Sequence, residues 1–119
     1  MKKILALVLA LVMVLGLSAA YADEFHFEIV SKGFQSTYWQ AVLKGAEAEV
    51  EKINAEGVDH ITITFVGPDS ESDVAQQVQQ FTSALNANPA AIGFAAVDQN
   101  AFNDLLAEAI EKYKEIFGA

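Results

Sequence analysis

The chain has 119 residues, a formal net charge of -9 and no cysteine. Without cysteine there can be no disulfide, no thiolate zinc site, no cysteine nucleophile and no lipid anchor borne on a cysteine. The acidic excess repels phosphate backbones, and no basic patch with interleaved aromatics offsets it, so nucleic acid is not an expected partner.

At the N-terminus, Lys2 and Lys3 precede an apolar run from Ile4 to Leu15, and small residues lead to an A-x-A site at Ala20-Tyr21-Ala22. Residues 1–22 read as a secretory signal peptide, cut before Asp23. A membrane anchor is the competing reading, but a span needs about 20 apolar residues and this run is shorter. Cleavage removes two lysines and no acid, so residues 23–119 are more acidic still. They are expected free in the periplasm, cell envelope or medium, not spanning a membrane, with negative charge keeping them soluble.

Phe25, Phe27 and Ile29 alternate with His26, Glu28 and Val30, the period of a strand. Ser31-Lys32-Gly33 breaks it. Tyr38-Trp39, Val42, Leu43, Ala46, Val50 and Ile53 then recur at helical spacing, with Ser36 or Thr37 available as cap and a stop near Gly57. The β-branched run Ile61 to Val66 predicts a second strand, closed by Gly67-Pro68. Ser70 to Asp73 opens a second helix, whose buried stripe is Val74, Val78, Phe81 and Leu85. Asn86 to Pro89 reads as a loop, with Pro89 stopping the helix. Ala91 to Val97 is apolar throughout, which predicts a strand covered on both faces. Asp98 or Asn100 then caps a third helix with the stripe Phe102, Leu105, Leu106, Ala109, Ile110, Tyr113 and Phe117.

The order βαβαβα predicts a three-layer α/β parallel sheet with right-handed crossovers. Three parallel strands are few, and an apolar third strand left at an edge is exposed to association. Two explanations stay open: a unit that expects more chain, or a small domain that dimerises over that edge.

No glycine-rich nucleotide loop is present. His26 and His60 have no partners at ligand spacing, so no metal is expected. The carboxylates lie mostly on helix faces, as with Glu47, Glu49, Glu51, Glu56, Glu108, Glu111 and Glu115, and read as solvated. Nothing brings two of them across a cleft as a glycosidase requires, so neither catalysis nor a cofactor is expected. In open α/β sheets ligands bind beyond the carboxyl ends of the strands. Those ends carry Lys32, Gln35, Ser36, Tyr38 and Trp39 after the first strand, and Asp98, Gln99 and Asn100 after the third. Amides, a carboxylate and aromatic faces suit a sugar, whose hydroxyls need donors and acceptors and whose C–H faces pack on rings. The same residues admit a plainer reading: Tyr38 and Trp39 as packing at a helix start, Asp98 as a cap.

The run Ile29 to Ala46, with the turn Gly67 to Gln77 and the strand Pro89 to Asp98, resembles type 1 periplasmic sugar-binding proteins of ABC transporters, the ribose-binding-like group. The resemblance spans nearly all of residues 23–119, in order; Thr37 stands where many members carry proline. It implies two α/β lobes hinged around a monosaccharide, residues 23–119 being a partial N-terminal lobe. It also implies a permease as partner of full-length relatives. Tyr38 and Trp39 match the aromatic pair that stacks on the sugar and Ser36 the polar position before it, while Lys32 and Asp98 match positions lining the cleft. The family's fourth strand and second lobe have no counterpart in the sequence. An exported interaction or sensing module of the same fold, working with a partner chain, is the alternative.

Overall fold

The computed structural model describes residues 22–117, so the expected export signal, apart from Ala22, lies outside the described residues. The elements are β1 (Glu24–Val30), α1 (Thr37–Ala55), β2 (His60–Val66), α2 (Val74–Asn86), β3 (Ala91–Phe94) and α3 (Asn103–Phe117). The strands form one parallel sheet in the order β2-β1-β3. From β1 the chain crosses one way to β2 and then back over β1 to β3. Right-handed crossovers in opposite directions put α1 on one face of the sheet and α2 on the other, giving three layers.

α1 starts where Ser36, in extended conformation, accepts a hydrogen bond from the Trp39 N–H with its side chain. It runs through Asn54 to Ala55, just short of the expected stop near Gly57. The Asn54 amide accepts from Ile61 N at 2.7 Å and donates to Ile61 O at 2.9 Å, pinning the helix end to the edge of β2. Gly57 then reverses the chain at φ +71, a left-handed conformation that glycine adopts without a Cβ penalty.

The core lies between the sheet, α2 and α3. The Phe94 ring sits 4.7 Å from Phe81 and 4.9 Å from Phe102, in tilted and edge-on contacts. Leu85 and Ala109 complete it. The expected stripe of α2 is half right: Phe81 and Leu85 are buried, while Val74 and Val78 are only half-buried and Gln77 and Ala84 take the inner positions.

Two expectations about the third strand are corrected. It ends at Phe94 rather than Val97, because the Gln77 side chain takes over: its Oε1 accepts from Val97 N at 2.9 Å and its Nε2 donates to Ala95 O at 2.8 Å. Nor is it covered on both faces. β3 is an edge strand, and Ala91 and Gly93 are exposed on the face away from α2 and α3. The start of α3 differs as well: Asp98 holds a turn over residues 98–101, and the helix begins only at Asn103.

Candidate functional site

The carboxyl ends of the strands are locked together by hydrogen bonds that leave little room for side chains. Ser31, just past β1, is buried, and both its N–H and its hydroxyl donate to Val66 O, at 2.8 and 3.0 Å. A Cβ on Gly67 would overlap Ser31 Oγ and lie 2.8 Å from Phe34 N, so only glycine lets the loops after β1 and β2 touch. Phe34 N donates to Pro68 O at 3.1 Å, and Gln40 Nε2 donates to Phe34 O at 2.6 Å. Glu71 lies against Gly33 from the second loop. Gln77, fully buried, donates to Ser31 O at 2.8 Å as well as bonding Ala95 and Val97, and so ties the end of β1 to the end of β3.

On this rigid rim stand the five residues singled out in the sequence. Lys32 is exposed in the loop after β1. Ser36 spends an oxygen lone pair on the cap of α1, while its hydroxyl hydrogen stays free to donate elsewhere. Tyr38 is 68% exposed and meets half-buried Trp39 edge-on, ring centres 5.0 Å apart. Neither ring belongs to the buried core, so packing at the helix start does not account for Tyr38. Asp98 follows β3, the strand next to β1, which puts it on the same edge of the sheet. Its Oδ1 accepts from Asn100 N and Ala101 N, both at 2.8 Å, and these bonds, Asn100 first, hold the carboxyl below the usual aspartate range. Asp98 thus holds the turn ahead of α3 instead of capping the helix itself, with Oδ2 left over for another partner.

Chemically, the rim offers an aromatic face open to solvent, an ammonium group, a hydroxyl and an ionised carboxylate. That set can bind a polar, hydroxylated molecule. Gln77 was passed over in the sequence reading, although its spacing showed it. Positions 74, 77, 78, 81, 84 and 85 form one helical stripe, and a glutamine inside such a stripe must find buried partners.

Among the described residues no helix is long and apolar enough to cross a membrane. Nor do they contain a group of three or more His, Asp or Glu side chains placed to hold a metal ion. The family model described as a periplasmic binding protein domain matches residues 27–113, from β1 into α3. No curated protein and no solved structure matches the chain.

Proposed function

This chain belongs to the periplasmic binding protein domain family, and we propose that it works as the monosaccharide-binding component of a sugar ABC transporter. The family is one of non-catalytic, extracytoplasmic binding scaffolds, and the chain is not an enzyme. In the proposal, residues 1–22 direct export and residues 23–119 form part of the N-terminal lobe, with Lys32, Ser36, Tyr38, Trp39 and Asp98 facing the sugar. The observation that carries it is Tyr38: a large aromatic ring, 68% exposed, held against Trp39 on the edge of the sheet where ligands of open α/β folds bind. An exposed ring there has a use in stacking on the C–H face of a pyranose, and in this reading Lys32, Ser36 and Asp98 address its hydroxyls.

One lobe forms one wall of a cleft. Its affinity for a sugar is expected to be on the order of millimolar or weaker, because closure of two lobes around the ligand supplies the rest in two-lobed binding proteins. Trp39 is the chain's single tryptophan, so its emission reports on the rim alone. Titration with pentoses, hexoses and inositols should give a saturable change with one of them, abolished in Tyr38→Ala. A folded chain whose emission ignores every sugar would refute this reading.

A second reading has its own support. β3 is an edge strand beside a groove of about 460 Å³, and Leu106 and Ile110 stand 36% and 56% exposed along it. An exported interaction or sensing module whose partner chain covers that edge would use this surface, and a stable co-purifying partner would favour it.

A further inference from the structure

The loops that form the rim set one ammonium group against several carboxylates. Lys32 follows β1, Asp69, Glu71 and Asp73 lie between β2 and α2, and Asp98 follows β3. Most of these acids have a structural task. Asp73 Oδ1 accepts from Gln76 N at 2.9 Å and so caps α2. Asp69 Oδ2 accepts from Gln76 Nε2 at 3.4 Å. Asp98 holds the turn ahead of α3. Glu71 differs, because its carboxylate has no hydrogen-bond or ion-pair partner among the described residues.

Glu71 nevertheless has a defined place. A Cβ on Gly33 would lie 2.8 Å from its Cγ and 3.3 Å from its Oε1, so the side chain reaches across from the second loop and covers the buried Gly33. Gln40, in the first turn of α1 with Tyr38, donates to the carbonyl of Phe34, the residue after Gly33. The loop under Glu71 is thus bound back to the turn that carries Tyr38, and the carboxylate and the exposed ring belong to one rim. An ionised carboxylate accepts hydrogen bonds and donates none, so it favours a ligand that brings donors and positive charge.

We propose that the rim selects an amino sugar, with its amine protonated, over neutral and acidic sugars, and that Glu71 is the residue that receives the ammonium group. The inference rests on the sugar-binding reading above and names the substrate class of that same site. The C–H face of the sugar packs on Tyr38, as for any pyranose. A neutral sugar offers Glu71 only a hydroxyl donor, whereas an ammonium group offers donors and the opposite charge. A uronic acid brings a further negative charge to loops where carboxylates outnumber Lys32 four to one, and like charge disfavours it. The acidic excess of the whole chain acts in the same direction, drawing cations toward the surface.

The test follows Trp39 emission at low ionic strength and at a pH that keeps the amines protonated. The folded chain is titrated with glucosamine, galactosamine and mannosamine, with glucose, galactose and mannose, and with glucuronate and galacturonate. One amino sugar is expected to bind about threefold more tightly than its neutral parent, the scale of an exposed ion pair. The uronates should bind most weakly, and the preference should shrink as salt is added. Glu71 is exposed, so Glu71→Gln is expected to fold normally; in it the amino sugar should fall to the affinity of its neutral parent. Glu71→Lys should turn the preference toward the uronate. A neutral sugar that binds as tightly as any amino sugar, or a preference that survives both substitutions, overturns this inference and leaves the sugar-binding reading standing. Emission that ignores every sugar overturns both.

Discussion

Gln77 shows how much one side chain can carry at the sheet's carboxyl edge. It is fully buried and makes three hydrogen bonds to backbone groups just beyond the ends of β1 and β3. Gln77→Ala leaves two carbonyls and an N–H without partners, each a desolvated polar group worth about 1–3 kcal/mol if it stays dry. Destabilisation on the order of 2–4 kcal/mol is expected, read as a lower denaturant midpoint with an unchanged slope. An unchanged midpoint would mean that water replaces the amide. Asp98 adds a pH dependence of known sign. Its carboxyl is held below the usual range by the N–H groups of Asn100 and Ala101. The stabilisation is therefore present above the ordinary aspartate pKa and lost as pH falls through the lower folded value. Asp98→Asn should flatten the acid limb of the stability curve. Tyr113 acts at the other end, since burial raises its pKa. Its contribution is full below the ordinary tyrosine pKa and disappears as pH rises through the higher folded value, so Tyr113→Phe should flatten the alkaline limb. Among single residues, the candidate rim was legible because exposed polar and aromatic types stand out after a strand. Gln77 was not, because three-dimensional neighbours decide whether a polar residue on a half-apolar element is solvated or buried.

α1 is the element that sets the rim, and its first turn positions both aromatic rings. The Ser36 cap bonds Trp39 N directly, so the cap and the ring pair are mechanically one unit. Removing the hydroxyl in Ser36→Ala should cost about 1 kcal/mol and also broaden the Trp39 emission as the first turn frays. A stability loss with unchanged emission would show that the ring pair holds itself. Elements were mostly readable in the sequence: strands from β-branched runs, helices from stripes, the α1 stop from Gly57. What failed was the length of β3. Ala91 to Val97 is uniformly apolar, and an apolar run does not reveal where a glutamine from another helix will replace the strand ladder. The expected burial of β3 failed for a related reason. Parallel strands are usually covered on both faces, but α1 reaches β2 and the end of the sheet bearing Ala91 and Gly93 stays open.

At the scale of the whole molecule, two forces of opposite sign act on that open edge. β3 presents backbone groups and an apolar surface with Leu106 and Ile110 exposed beside it, a template for association. Against this stands a net charge of -9, which repels a second copy. Charge repulsion between exposed groups is screened within about 10 Å at 0.1 M salt, whereas apolar attraction is not weakened by salt. Self-association should therefore be slight at low ionic strength and grow as salt is added, the reverse of what a charge-held dimer would do. Sedimentation velocity at two salt concentrations measures it. Ile110→Glu removes an exposed apolar side chain at the groove and adds like charge, and at 56% exposure it should leave the melting temperature within a degree or two. It should also suppress the salt-induced species. A chain that stays monomeric at high salt and high concentration would show that four residues of edge strand are too few to pair. Association that survives Ile110→Glu would instead place the contact on the open face of Ala91 and Gly93.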